Sequence, residues 1–532
     1  MDPPSLPSPS SSTSDNTPLI PSSSSSSSST STNTYTSPPA TTQEWEIFRQ
    51  QGKLMVDFIA DYYLNLANQQ YPVKSSVTPG YLAKHLSSEI STQPESFTSI
   101  MHDIQQHIIP GITHWQSPNF YGYFPANTSP PSLLGDMLSG AFGIISFSWI
   151  ASPAATELET IVMNYLVSLL NLPSKFHSKN TGGGVIQGTA SEATLVALLG
   201  AKTKMVAKLT SSSSSTTTTP SNTSTNRFVA YMSDQAHSSV KKACMIAGLD
   251  SSQIRIIPTK GPLYQLDSNV LETIIQQDIN NQYIPFFCVS TSGTTSSGAF
   301  DPLEFIGKVC EKYNIWLHVD SAWAGSALIC PEYRSLFTGL EYVESFAFNP
   351  HKWLRTNFDC CAMFVTNRYW LLSALSITPE YLKSKEYEQG LVSDYRDWSI
   401  PLGRRFRSLK LWFVLRMYGI ENLQNQIRYH CSLANLFTSL VNTDERLEIP
   451  VPISLALVCF RLRKSSDKQS IEEWNQKNEL FLSKIMESST VYLVHTKLDG
   501  IITLRLAIGS PLTQEIHIHQ TWKIIQQALN QL

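Results

Sequence analysis

The sequence contains no C-x-x-C pair, although it has eight cysteines, at positions 244, 288, 310, 330, 360, 361, 431 and 459. Several stand inside apolar runs, so they read as reduced core residues of a cytosolic protein rather than as zinc ligands or disulfide partners. Charge is scarce as well: Asp, Glu, Lys and Arg make up 15% of the chain, the net charge is -3, and no block of Lys and Arg occurs. That leaves no field with which to gather nucleic acid. No basic residue precedes Arg49, which argues against an Arg-rich transit peptide and against a secretory signal, which needs a basic start and an apolar core. The most apolar stretch, GAFGIISFSWIA over 140–151, is too short and too interrupted to span a bilayer. Two nucleotide signatures also fail. GGGVIQG over 182–188 is one residue out of register for G-x-G-x-x-G, and Gly183 to Thr189 resembles a P-loop without its lysine.

What is present is a chain of 532 residues with 42% hydrophobic content, long enough for two or three packed subdomains. Residues 1–40 are Ser, Thr and Pro with little to bury, which predicts a disordered tail. Order is expected to begin at Thr41-Thr42-Gln43-Glu44, which has capping-box spacing. Trp45, Phe48, Met55, Phe58, Ile59 and Tyr62 then recur on one helical face, against either the chain itself or a second copy. From about 153 to 370, helix and strand signals alternate in the βα manner of a mostly parallel sheet. The low-complexity stretch 208–226 predicts an exposed loop with no catalytic part. Near 404–410 the charges Arg404, Arg405, Arg407 and Lys410 open an amphipathic helix, read as a salt-bridged or solvated face, with phosphate or RNA contact as the alternative.

The chemistry centres on Asn349-Pro350-His351-Lys352-Trp353, between the strand-like runs EYVESFAF (341–348) and AMFV (362–365). Lys352 is thus predicted on a tight turn in the interior. Burial disfavours the ammonium form, and a neutral amine is a nucleophile toward aldehydes; the alternative is a turn lysine whose head snorkels to solvent. IWLHVDSAWAG over 315–325 reads as a strand ending in Asp320, at the strand end where ligands sit in a parallel sheet, although a strand-end Asp can equally cap a helix. An amine for an aldehyde and a carboxylate for a pyridine nitrogen are what pyridoxal phosphate needs. Gly188-Thr189-Ala190-Ser191-Glu192-Ala193 opens an apolar helix, and small residues there let backbone N–H groups approach an anion at the positive helix end.

Taken together, NPHKW, HVDSAWAGSALICPE, QGTASEATLVAL and DWSIPLGRRFRSLKLWFVLRMYG resemble the pyridoxal-phosphate-dependent aromatic L-amino acid decarboxylases, particularly the plant branch with tryptophan and tyrosine decarboxylases. The resemblance runs from about residue 42 to the C-terminus. It implies an α/β, fold-type I PLP-dependent transferase-like chain with a mostly parallel central sheet. The expected parts are an N-terminal helical dimerisation segment (41–125), a large cofactor-binding domain (126–400) with a mobile catalytic loop (371–399), and a small C-terminal α+β domain (401–532). It implies a cytosolic homodimer acting on a small aromatic L-amino acid.

The resemblance also implies residue roles. Ala190, Ser191, Asn349, His351 and Thr291 hold the phosphate, with Ala322 also at the cofactor and a plain Gly/Ser turn as the alternative for the Thr291 segment. Lys352 carries the cofactor, Asp320 keeps the pyridine nitrogen protonated, and His237, at a strand-to-helix junction, stacks on the ring and positions the substrate carboxylate. Tyr381 donates the proton to Cα; homologues with phenylalanine there release an aldehyde instead. Tyr123, Phe124 and Pro125 shape the substrate pocket with Gly403, whose missing Cβ favours an indole over a phenol. The predicted reaction is L-tryptophan to tryptamine and CO2. Tyrosine, dopa or phenylalanine decarboxylation, an aldehyde synthase, and an inactive scaffold are the alternatives. Ser321 and Trp323 replace the more usual Ala and Tyr after the aspartate, and residues 126–131 (ANTSPP) are unusual.

Overall fold

The computed structural model describes residues 42–212, 226–377 and 379–532. The tail over 1–40, Thr41 of the capping box and residues 213–225 of the low-complexity stretch lie outside them. The chain divides into two compact units: the described residues up to Phe58 together with Thr78–Pro110, and Ile59–Val77 with Gly111–Leu532.

The smaller unit holds the first turns of a helix, Thr42–Ala67, on which Trp45 and Phe48 stay exposed. It also holds a short helix, Phe97–Asp103, whose N-cap Ser96 accepts from the Ser99 N–H. The predicted apolar stripe is therefore real and partly uncovered.

The larger unit is built on a seven-stranded sheet of β1 (Gly183–Gln187), β2 (Phe228–Ser233), β3 (Ile254–Ile257), β4 (Ile284–Thr291), β5 (Trp316–Asp320), β6 (Ser345–Phe348) and β7 (Cys361–Val365). The order is β1-β7-β6-β5-β4-β2-β3. Pairings from β6 through β5, β4 and β2 to β3 are parallel, and β7 alone runs antiparallel, between β1 and β6. FVAYMS, WLHVD, SFAF and CAMFV are buried along their whole lengths, as unbroken apolar strands must be when helices cover both faces. This is the α/β, mostly parallel architecture that the sequence predicts.

A second, antiparallel sheet of β8 (Leu447–Glu448), β9 (Leu457–Leu462), β10 (Val494–Leu498) and β11 (Ile501–Ala507) has the order β10-β11-β9-β8. Helices Ile471–Glu487 and Glu515–Leu529 bury one face each beside it. All eight cysteines are buried and unpaired. No described helix is long and apolar enough to cross a membrane.

Four local expectations need correction. The helix Ala190–Ser212 runs through residues 208–212, which the composition had assigned to a loop, because Leu209 still packs on the core. Over 341–348 the strand begins only at Ser345, after a 3₁₀ turn at Leu340–Tyr342. The loop predicted over 371–399 is anchored at both ends: Leu371 is buried in the helix Tyr369–Leu375, and Tyr395, Arg396, Asp397 and Trp398 form a buried turn. Finally, the helix near 404–410 starts only at Arg407, while the salt-bridged reading of the charges there holds. Arg405 and Arg407 meet Asp136 and Asp359, and Arg404 is buried against Glu159 instead of lying on a solvated face.

Candidate active site

Parallel strands align their carboxyl ends, and five of them converge here. In register, Thr291 of β4 pairs with Asp320 of β5, which pairs with Ala347 of β6. Two residues beyond Ala347 the chain leaves β6 at Asn349 and makes a single helical turn, Pro350–Trp353, which presents Lys352. β1 leads into the helix beginning at Ala190, and β2 into His237, the N-cap of the helix Ser238–Ile246. The result is a cavity of about 240 Å³ lined by Phe124, Thr189, Ala190, Ser191, His237, Thr291, Gly293, Thr295, Asp320, Ala322, Trp323, Asn349, His351 and Lys352. It sits where ligands bind in open α/β sheets.

The electrostatics favour a reactive amine. Desolvation pushes the Lys352 ammonium below its ordinary pKa, Asp320 and Cys361 oppose that shift, and Arg505 adds to it. Nζ lies 5.5 Å from the Phe124 ring centroid, and the Arg505 guanidinium lies 5.1 Å from the same ring. Phe124 in turn stacks on Trp323 at 4.4 Å, and Trp323 on Trp353 at 5.0 Å. The lysine turn is clamped from outside by Asn127, whose N–H donates to the His351 carbonyl and whose side chain joins Arg355 N–H to the Gly509 carbonyl.

His237 accepts the Ser239 N–H on Nδ1 at 3.2 Å. That leaves Nε2 to carry the proton as a donor at the cavity. Burial holds the His351 imidazole down at about 4, so it is neutral near pH 7. Asp320 Oδ1 accepts the Ala322 N–H at 3.0 Å, which orients the carboxylate.

Comparison with known proteins decides the family. The model of the pyridoxal-dependent decarboxylase conserved domain matches residues 79–463. Phenylacetaldehyde synthase of Arabidopsis thaliana is 47% identical over 488 residues, covering 92% of this chain and 96% of that protein. Tyrosine decarboxylase 2 of Narcissus pseudonarcissus is 47% identical over 482 residues, covering 90% and 93%. A crystal structure of Oryza sativa TDC with PLP and tryptamine matches with a TM-score of 0.88 at 38% identity, over 93% of this chain and 99% of that one. The chain belongs to the pyridoxal-dependent decarboxylase family. Its relatives place it among the aromatic amino acid enzymes of that family, and pyridoxal phosphate is its cofactor.

For a pyridoxal-dependent decarboxylase the cavity has a telling defect. Thr291 Oγ1, Asn349 Oδ1 and Trp323 Nε1 are buried there without hydrogen-bond partners. Buried polar atoms are normally satisfied, so three orphans around one cavity fit a polar ligand that completes them. Gly293 adds room: its φ of 84° and the close approach of Ala324, 2.5 Å from where a Cβ would stand, both require glycine.

All nine residues that the sequence assigns to the cofactor line this cavity: Ala190, Ser191, His237, Thr291, Asp320, Ala322, Asn349, His351 and Lys352. Of the assigned substrate residues, Phe124 and His237 line it too. Tyr123, Pro125 and Gly403 do not. Tyr123 takes a left-handed backbone (φ 54°) that turns Phe124 inward, and its own ring stacks outside on Trp115 at 5.2 Å. Pro125 packs on Gly509, and Gly403 is exposed beside Ile145. Tyr381 is 79% exposed on the turn Glu380–Leu382.

Sequence reasoning missed Thr189, although it stands in the motif opening at Gly188, and Gly293 and Thr295, which follow Thr291 closely. It also missed Asp301, which accepts the Thr291 and Leu266 N–H groups at 2.8 Å each and which burial pushes up to about 6. Arg505 carried no sequence signal beyond a lone charge in an apolar strand.

Proposed function

We propose that this chain converts an aromatic L-amino acid into its arylalkylamine and CO2, with L-tryptophan favoured and tryptamine the product. The observation that carries the reading is the convergence of Lys352, Asp320 and His237 on one cavity at the carboxyl ends of the parallel strands. When bound, pyridoxal phosphate supplies a conjugated ring that takes up the electron pair left at Cα as CO2 departs.

The chain's own residues do the rest. Lys352, its amine made nucleophilic by desolvation, holds the cofactor's aldehyde carbon. Asp320 keeps a proton on the pyridine nitrogen, an adjacent carboxylate raising the pKa of such a cation by ~1 to 3 units. Ser191 and the N–H groups of the first helical turn take the phosphate with Thr291, Asn349 and His351. His237, with Nδ1 occupied, would offer Nε2–H to the substrate carboxylate and so fix which bond at Cα is set to break. That geometry selects decarboxylation over transamination or racemisation.

Tyr381 returns a proton to Cα. Its exposure means that the segment carrying it must close over a cavity first, which suits a lid. A tyrosine here favours an amine product and argues against the aldehyde-forming reading that the Arabidopsis relative's name raises. Gly403 lies outside the cavity, so the preference for an indole rests on the likeness to the Oryza sativa TDC with PLP and tryptamine. A cytosolic homodimer is part of the same reading, supported by the exposed Trp45 and Phe48 of the first helix.

One incubation series tests this: tryptophan, tyrosine, dopa, phenylalanine and histidine, each assayed for amine and for hydrogen peroxide. The expected result is amine without peroxide, fastest with tryptophan. Peroxide equimolar with product would overturn the amine assignment.

A further inference from the structure

His318 lies on β5 two residues before Asp320, on the same face of the strand. It is wholly buried, as are Thr194 and Ser345, and Trp316 is 1% exposed. These four side chains form one connected run. Trp316 Nε1 donates to Ser345 Oγ at 2.7 Å, Ser345 Oγ lies 2.8 Å from His318 Nδ1, His318 Nε2 lies 3.4 Å from Thr194 Oγ1, and Thr194 Oγ1 donates to the Ala190 carbonyl at 2.9 Å.

The run has a direction. An indole can only donate, so Ser345 accepts from Trp316 and has its own hydrogen left for His318 Nδ1. With the imidazole proton on Nε2, His318 donates to Thr194, whose hydrogen goes to the Ala190 carbonyl. In this tautomer every donor in the run is used. Burial, holding the imidazole down at about 4, keeps His318 neutral near pH 7, as the relay requires. The end point is informative. The Ala190 carbonyl belongs to the same peptide group as the Ser191 N–H, in the first turn of the helix that opens the cavity. A hydrogen bond to the oxygen of a peptide strengthens its N–H as a donor, and first-turn N–H groups have no partner inside their own helix.

We propose that His318 is a positioning residue that completes a one-way hydrogen-bond relay from Trp316 to the Ala190–Ser191 peptide, thereby strengthening the anion cradle for the cofactor's phosphate. This rests on the reading of Ser191 as a phosphate-side residue. A polar run buried in a sheet core is costly unless fully satisfied, and an apolar residue would fill the same space. Its termination on the cradle peptide supplies the reason for keeping it.

The test is the phosphate preference of the full chain stripped of cofactor: the dissociation constant for pyridoxal divided by that for pyridoxal 5'-phosphate, from spectral titrations. Thr194→Val removes the last link while keeping shape. It should lower the ratio about threefold to tenfold with pyridoxal binding unchanged, and Thr194→Ser should restore it. Ser345→Ala, two links upstream and away from the cavity wall, should lower the ratio in the same direction and serves if the valine variant does not fold. An unchanged ratio in a folded variant, or equal weakening toward both ligands, overturns the relay. A wild-type chain that binds the two ligands equally removes the cradle itself, and the relay's role with it.

Discussion

The floor of the cavity and the segment that carries Tyr381 differ in nearly every physical respect. On the floor, Lys352, Asp320, Thr291 and Asn349 are set by strand ends in mutual register, inside close-packed aromatic layers. Over residues 379–391 the chain makes only the turn Glu380–Leu382 and the four-residue helix Lys385–Glu388, and Ile377, Tyr381 and Leu391 stand 80%, 79% and 71% exposed. The floor is where a cofactor must be held without play. The turn segment has few buried contacts, the property expected of an element that opens and closes. On the proposed reading one chain separates electrostatic preorganisation from proton delivery by Tyr381, and variants in the two regions should fail differently.

The largest effect belongs to the floor. Lys352→Ala should lower turnover on the order of 10³-fold or more, as removal of a covalent anchor does, and should abolish the visible absorbance of the holoprotein. Next comes the support beneath the floor. Arg404 and Glu159 are both 2% exposed, bonded at 2.6 and 3.0 Å, and both also hold the Ile186 backbone. Arg404→Met leaves a buried carboxylate alone and should cost about 3–5 kcal/mol of stability, read as a fall in denaturation midpoint.

Asp320→Asn should keep the fold and part of the cofactor and lose roughly 10- to 1,000-fold in turnover, corresponding to the ~1 to 3 pKa units a carboxylate supplies. Acid should act on the core itself. Burial holds His318 and His351 at about 4 and His430 at about 3, below the unfolded value of ~6.5. The unfolded chain therefore binds more protons, so stability is full above ~6.5 and falls as pH drops toward 4, by about 1.4 kcal/mol per histidine per pH unit. Urea denaturation at two pH values measures this; a flat profile would contradict the burial of these rings.

The smallest stability effect should come from Tyr381→Phe, within about 0.5 kcal/mol of the parent, because its side chain is exposed. Its product should nonetheless change from amine to aldehyde, ammonia and hydrogen peroxide in the presence of dioxygen. A Tyr381→Phe protein that still yields only amine would remove Tyr381 from proton delivery and erase the division between the two regions.

The difference also explains what could be read from the amino acids alone. NPHKW and the strand ending in Asp320 are contiguous, and their apolar flanks predict the elements that place them. The helix opening at Ala190 was likewise visible as a run of small residues before an apolar face. The Arg404–Glu159 pair joins positions 245 apart in the chain, and nothing local to Arg404 distinguishes it from the exposed Arg405 beside it. The Phe124–Trp323–Trp353 stack and the Asn127 clamp are tertiary in the same sense. Tyr123 and Gly403 lie outside the cavity's lining, and for Tyr123 the left-handed backbone that turns Phe124 inward is not a feature that sequence adjacency displays. At 208–212 composition misled, since the helix continues wherever an apolar residue such as Leu209 still finds a core.

The central claim is that Lys352 is the covalent anchor of pyridoxal phosphate. Borohydride reduction of the cofactor-loaded protein, followed by peptide mapping, tests it most directly. The account predicts a pyridoxyl group on the lysine of the Asn349–Trp353 peptide and on no other. An unmodified Lys352 peptide from fully loaded protein would contradict it.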